Sequence, residues 1–554
     1  MPTLKPVKWL ACFLSVALLG CSELTTHTPA EPTVKNVILI IGDGMGPQQV
    51  GLLLSYARQA PHSIIANHRT ALDRLLDQGQ LGISLTYPDN ALVTDSAASA
   101  TQLATGKFAG SEMLGLDKDG NPQINIIEQA KRLGKATGLV SDTRITHATP
   151  AAFAAHQTHR SQENDIAEDL LAVEPDVMLS GGFSNWIPEQ ATHKQEPVHQ
   201  QLEQLIEHSF PVKSERKDNK NLLYTAQQKN YTLAFNTAQL QHARGKTLGL
   251  FAGSGMADGI AENQNKNAPK RTEPTLKEMS EKALEILDHN PKGFFLMIES
   301  GQIDWACHRN DTGLLLHEML RFNDTLNAVL DWVKNRNDTL VIVTADHETG
   351  GFGFSYSNAN LPVGRKLPGK AFAGGTLFKP HYNFGAPAIL DKLYAQQRSY
   401  HNIFAEFDAL PTAQKTPRAL AELVNRYTLF TITETEATTI LKTQVNPNDQ
   451  PDKPASAKAI PVMPVNDAFY MSNMEKRENL LGQAVSSKQS TVWATGTHTS
   501  TPVYVFTLGP KYLAEQFRKI LHHTELGQLA INALQCSGSN AACPSTHHTT
   551  NVVE

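Results

Sequence analysis

Short, continuous apolar runs recur along the chain at Val37–Ile41, Gly138–Val140, Val177–Leu179, Leu248–Phe251, Phe294–Ile298, Leu340–Val343 and Val503–Phe506. Several place β-branched residues at consecutive positions, so both faces of the strand they predict are apolar. Strands of that kind belong to a parallel sheet, because crossover connections lay helices over both of its faces. The intervals carry helical signals. Thr275-Leu-Lys-Glu278 predicts a capping box that opens an amphipathic helix running to Leu287, and Leu314 to Val333 repeats the same period. The pattern therefore predicts an α/β fold with a large, mostly parallel central sheet and helices on both faces. Regularity fails between Gly351 and Trp493, which predicts a long insertion at approximately 352–492. Within it, Phe384 to Tyr394 and Leu420 to Ile432 read as partly folded elements that cover the site or bind a second subunit, and Asn446 to Pro454 reads as a linker. No internal repeat is present.

The N-terminus reads as an address. Lys5 and Lys8 precede an apolar run from Trp9 to Gly20 that is too short to span a bilayer, which predicts a signal peptide over residues 1–20. Its end, Leu18-Leu19-Gly20-Cys21, resembles a bacterial lipoprotein cleavage site with Cys21 as the acylated first residue; an ordinary cleaved signal is the alternative. Residues 21–33 are polar, contain Pro29 and Pro32, and suit a flexible tether, leaving 34–554 as a single folded domain. The 554 residues are 40% hydrophobic and 19% charged, enough for a large core. A net charge of −5 without a basic block argues against a nucleic-acid partner. Five cysteines occur. Cys536 and Cys543 close a short Ser/Gly segment and read as a local disulfide, with two free thiols in a terminal tail as the competing reading.

Residues with chemical potential stand where the predicted strands end, the place where open α/β sheets bind ligands. Val37–Ile41 delivers Asp43 into a glycine-rich turn. Thr94-Asp95-Ser96 leads into an alanine-rich helix whose free amides suit an anion, with Ser96 either a helix cap or a nucleophile. Thr146-His147-Ala148-Thr149-Pro150 reads as the start of a helix carrying His156 and Arg160. Phe294–Ile298 ends on Glu299, and Asp304 and His308 follow at i and i+4, on one face if that segment is helical. Leu340–Val343 runs into Asp346-His347, and His498 precedes the last run. Asp and His in these patterns suit a metal. Most of the remaining histidines, including His522-His523 and His547-His548, read as solvated.

These segments, in this order, resemble the alkaline phosphatase family over roughly Val34 to Phe352 and again near His498. The resemblance implies hydrolysis of phosphate monoesters through a phosphoserine at Ser96, with Arg160 holding the phosphate. It implies two zinc ions, one on Asp43, Asp346 and His347 and the other on Asp304, His308 and His498. A magnesium ion would take Asp43, Thr149 and Glu299. His147 and Trp305 lie beside that set, where some bacterial relatives carry an acid and a lysine and others a histidine or tryptophan. The family commonly dimerises, which makes a homodimer the expectation. The N-terminal signals place the protein in the periplasm or at the surface of a bacterial membrane, lipid-anchored or secreted. A phosphodiesterase of the same superfamily, and a surface lipoprotein that binds metal or phosphate without turnover, are the alternative functions.

Overall fold

The computed structural model describes residues 34–445, 459–462 and 476–535. The signal and tether, Cys21, the 446–454 linker, Cys536, Cys543 and His547-His548 lie outside them.

Ten strands form one sheet: β1 Asn36–Gly42, β2 Gln80–Leu85, β3 Ala136–Arg144, β4 Val177–Gly181, β5 Thr232–Ala234, β6 Thr247–Leu250, β7 Phe294–Ser300, β8 Thr339–Thr344, β9 Val503–Leu508 and β10 Ile520–His522. Their order is β10-β2-β9-β8-β1-β7-β3-β4-β6-β5. All neighbours pair in parallel except β9, which runs antiparallel to both β2 and β8. The seven apolar runs all became strands. The three strands without such a run lie at or beside the sheet edges. β2 alternates buried and exposed positions, and β5 and β10 have three residues each, too few to show a period.

Strand β1 shows how the two faces are used. Ile38 and Ile40 enter an apolar cluster with the helices Pro47–Gln59, Leu276–Leu287 and Thr312–Val333. Val37, Leu39 and Ile41 enter a second cluster with Ser96–Thr105, Ile126–Arg132, Glu163–Val173 and His523–Gln535. Every residue of the strand is buried, as the doubly apolar run requires. The capping box of the Leu276–Leu287 helix forms as expected: Thr275 Oγ1 accepts from Glu278 N at 3.2 Å, and Glu278 accepts from Thr275 N at 2.8 Å.

The insertion divides in two. Its helices Ala388–Tyr394, Tyr400–Ala409 and Pro417–Tyr427 place Leu390, Leu393, Ile403, Phe404, Leu420 and Val424 in the first cluster. Buried Asp311, at the cap of the Thr312–Val333 helix, accepts from Tyr400 N at 2.7 Å and Gln396 Nε2 at 2.8 Å. In contrast, no residue from Phe354 to Ile389 is buried. The apolar stretch from Phe384 is therefore helical only from Ala388.

Candidate functional site

Four neighbouring parallel strands, β8, β1, β7 and β3, bring their carboxyl ends to one place. Ile41 lies opposite both Glu299 and Thr344, and Glu299 lies opposite Ser141, so Asp43, Glu299 and the segment after Thr344 converge by register. The Asp43 turn is tight: Asp43 N donates to Ser300 O at 3.1 Å, and Gly44 N donates to Asp346 Oδ1 at 3.1 Å. Gly44 has φ +72°, and a Cβ there would stand 2.8 Å from Asp304 Cα. A side chain would thus meet both strain and a clash with the helix Gln302–His308.

Potential ligand atoms gather in three groups: Asp43, Asp346 and His347; Asp304, His347 and His498; and Asp43, His147 and Glu299. The first matches one expected zinc set. The second brings together two of the other set, and His308 completes it, with its Nε2 3.2 Å from both Asp304 Oδ2 and His498 Nε2. The Asp304/His308 spacing does fall on one helix, Gln302–His308. In the third group Thr149 Oγ1 donates to Asp43 Oδ2 at 3.3 Å. His147, expected beside this set, presents its Nδ1 3.7 Å from Glu299 Oε1 and belongs to the donor group itself.

The imidazoles are aimed. His308 Nδ1 bonds Gly496 O at 2.7 Å, His498 Nδ1 bonds Thr94 O at 2.9 Å, and His347 Nδ1 lies 3.2 Å from Thr349 Oγ1. Each partner holds the ring so that Nε2 faces the centre, the arrangement by which outer groups orient metal ligands. Four buried atoms there, Asp43 Oδ1, Asp346 Oδ2, Glu299 Oε1 and His147 Nδ1, have no hydrogen-bond partner among the described residues. A buried carboxylate oxygen without a donor is costly, and a cation is what these oxygens fit.

Electrostatics agree. Burial, reinforced by Asp346, Asp304 and Glu299, pushes the Asp43 carboxyl well above the usual range, and burial with Asp304 pushes Asp346 up to about 8. Burial also acts to raise Asp304, but the charge and hydrogen bond of His308, the foremost of its histidine neighbours, outweigh it and hold that carboxyl well below the usual range. Burial drives His347 well down and His498 to about 4, so both imidazoles are neutral donors. Carboxylates that repel one another and neutral imidazoles gain most from an added cation.

Ser96 opens the helix Ser96–Thr105. Asp95 caps this helix, accepting from Ala97 N at 2.8 Å, which leaves the Ser96 hydroxyl for another task. Its Oγ lies 3.2 Å from His347 Nε2. Arg160 reaches the same place, with Nη2 3.2 Å from His147 Nε2 and Nη1 3.5 Å from Asp95 Oδ1. It does not come from a helix. The turn at Ala148–Ala151 ends within one turn, the next helix starts at Glu163, and both His156 and Arg160 lie in the loop between. A buried alanine run packs there without propagating the helix, and Arg160 N donates to Glu112 O at 2.9 Å instead. Trp305 stands edge-on to His147, ring centroids 5.9 Å apart, and the Arg144 guanidinium lies 5.9 Å above its ring.

Other site residues escaped the sequence reading. Ser141 and Thr143 donate to Glu299 Oε2, the latter at 3.1 Å; only the β3–β7 register reveals them. Thr349 Oγ1 donates to Asp304 Oδ1 at 2.6 Å, and Gln49 Nε2 donates to Glu348 Oε1 at 2.8 Å. The pair His522-His523 overturns the expectation of solvation, since both rings are buried. His523 spans Ser84 Oγ at 2.7 Å and Asp346 O at 2.9 Å, bracing the ligand-bearing segment from the far end of the chain. Asp95 was legible, as an Asp directly before a helix start.

The alkaline phosphatase family profile matches residues 34–536. Alkaline phosphatase 3 of Bacillus subtilis is 30% identical over 91% of this chain and 89% of its own. The cold-active alkaline phosphatase of a psychrophilic Shewanella superposes with a TM-score of 0.64 at 26% identity, covering 90% of this chain and 99% of that one. The Thermus thermophilus alkaline phosphatase shares the fold, with a TM-score of 0.68 at 23% identity over 94% and 96%. With carboxylates, imidazoles, Ser96 and Arg160 converging on the strand ends of that fold, the chain belongs to the alkaline phosphatase family.

Proposed function

We propose that this enzyme hydrolyses phosphate monoesters through a phosphoserine at Ser96, with two zinc ions and a third ion held by the three donor groups. The observation that carries the reading is the set of buried, unpartnered ligand atoms beside a serine whose helix is capped by another residue. Asp43, Asp346 and His347 would hold one zinc, and Asp304, His308 and His498 the other. Asp43, Glu299 and Thr149 would hold magnesium, with His147 within reach of the same ion. When bound, such ions supply Lewis acidity that activates a hydroxyl or a water and neutralises a leaving oxygen.

The chain's own residues do the rest. Ser96 Oγ attacks phosphorus in line, the bond from phosphorus to the ester oxygen breaks, and the alcohol departs with a proton. Arg160 then holds two non-bridging oxygens of the phosphoserine in its planar fork. Water attacks from the side the alcohol left, the bond from phosphorus to Ser96 Oγ breaks, and inorganic phosphate and the free hydroxyl are returned. The N-terminal end of the helix that Ser96 opens adds positive potential where negative charge develops. Acylation of Cys21, a periplasmic or surface location and a homodimer belong to the same proposal, supported by the N-terminal sequence and by the family.

Rapid mixing with a chromogenic phosphate monoester tests it. Ser96→Ala, with metal content checked, should lose the alcohol burst and at least about 10³-fold in turnover, as loss of a covalent nucleophile requires. A variant that still accumulates phosphoenzyme at the parental level would refute the assignment of Ser96. A parallel diester assay separates the monoesterase from the diesterase reading.

A further inference from the structure

The segment that carries His498 is thinly held. It meets the Asp346-His347 segment through a two-residue antiparallel ladder, His498 opposite Thr349 and Thr499 opposite Glu348, with Gly350 N donating to Thr497 O at 2.8 Å beside it. Side chains alternate across such a ladder. Thr349 shares the metal face with His347 and His498, its Oγ1 lying 2.6 Å from Asp304 Oδ1 and 3.2 Å from His347 Nδ1. Glu348 therefore points the other way, which is why a carboxylate directly after two ligands stays out of all three donor groups of the site. It is nonetheless 2% exposed, and a carboxylate buried to that degree needs donors.

Three segments supply them. Gln49 Nε2 donates to Glu348 Oε1 at 2.8 Å, Gly351 N donates to the same oxygen at 3.0 Å, and Thr499 Oγ1 donates to Oε2. Gln49, itself fully buried, also donates to Thr349 O at 2.9 Å. The stem of Glu348 packs on the turn that follows Asp43, where a Cβ at Gly46 would stand 2.1 Å from Glu348 Cγ. Gly46 caps the Pro47–Gln59 helix without a side-chain bond, and no acid lies in its first turn. The Glu348 carboxylate thus brings negative charge to a helix start that has none of its own. We propose that Glu348 is a positioning residue, which holds the His498 strand, and through it the imidazole, at the Asp304–His308 zinc site. The bond from His498 Nδ1 to Thr94 O sets how the ring is turned; the bond from Thr499, the next residue, to Glu348 sets where its backbone stands. The inference rests on the zinc assignment proposed above.

The test is the zinc affinity of the full chain, stripped of metal and titrated with zinc against a chromophoric chelator in excess magnesium. Thr499→Val removes the donor and keeps the shape. It should weaken one of the two zinc ions about tenfold, the cost of losing an outer partner of a ligand, and leave the other within about twofold. Glu348→Ala should do at least as much, and Glu348→Gln, which still offers an oxygen to Gln49 and an amide to Thr499, should recover most of the loss. In a His498→Ala background, where the positioned ring is gone, Thr499→Val should change zinc affinity no further; a role in general stability would weaken the remaining ion as well. Parental affinity for both ions in Thr499→Val, equal weakening of both, or a further loss on the His498→Ala background would each overturn the proposal, even if Glu348→Ala does not fold. A parent that binds no zinc would overturn the zinc assignment and this inference with it, which sets the two failures apart.

Discussion

Arg321 is the side chain whose removal should reach furthest. It is 5% exposed, on the Thr312–Val333 helix, and its guanidinium contacts Asp142 at 2.9 Å, Glu318 at 3.2 Å and Glu262 at 3.3 Å while donating to Ala257 O at 2.6 Å. Asp142 in turn accepts from Gly301 N at 2.6 Å, the residue that joins Glu299 to the helix of Asp304 and His308. One buried cation thus faces two buried acids, Asp142 and Glu318, and a third, Glu262, that is partly buried. Burial raises Asp142 and Glu262 and pushes Glu318 up to about 8, even with Arg321 opposing each. Arg321→Met keeps the volume and removes the charge. Breaking a buried ion pair costs about 3–5 kcal/mol, and here three carboxyls lose their partner, so the upper end is expected at pH 9. The loss should shrink toward pH 5. Without the cation the three folded-state pKa values rise further, so the folded variant holds protons that the unfolded chain has released above about pH 4. Stability then falls as pH rises, by about 1.4 kcal/mol per pH unit for each carboxyl still protonated only when folded. Urea unfolding of the metal-loaded enzyme at pH 5, 7 and 9 measures this, and turnover at each pH reports whether the Gly301 turn has moved. A penalty under about 1 kcal/mol at pH 9, or one that does not vary with pH, would refute the reasoning.

Removing metal with a chelator should lower the melting temperature more at pH 9 than at pH 6. Asp43 and Asp346, the latter near 8, hold protons in the folded apoenzyme, and that contribution is lost as pH rises through the folded pKa; a shift independent of pH by scanning calorimetry would contradict it. His147→Asp should tighten magnesium and weaken zinc at the third site, because an oxygen anion replaces a nitrogen donor 3.7 Å from Glu299; equal dissociation constants by titration calorimetry would show that the ring only packs there. Asp95→Ala should act in two directions at once. Loss of the cap at Ala97 N costs about 1 kcal/mol of stability, while Arg160, freed of its neighbour at 3.5 Å, should bind inorganic phosphate more tightly in inhibition assays. Unchanged inhibition would mean that Asp95 does not restrain the arginine.

Much of this protein was legible before folding, wherever the signal is local. A buried parallel strand must be apolar on both faces, so β1, β7 and β8 announced themselves, and Asp43, Glu299 and Asp346-His347 stood out as polar residues ending such runs. The capping box at Thr275 and the Asp304/His308 spacing depend only on the helical repeat. Tertiary structure alone decided what local pattern cannot hold. Strands at or beside the sheet edge, such as β10 and β2, are short or half-solvated, and their apolar content is too thin to read. Arg160 sits in a loop because long-range bonds to the Glu112 segment replaced the helix that the alanine run suggested. Ser141 meets Glu299 through strand register, and His523 meets Asp346 across 177 residues of chain. The unburied stretch from Phe354 to Ile389 could be told from the buried helices of the same insertion only once the core had closed, because solvent exposure is a property of the packed whole and not of any segment.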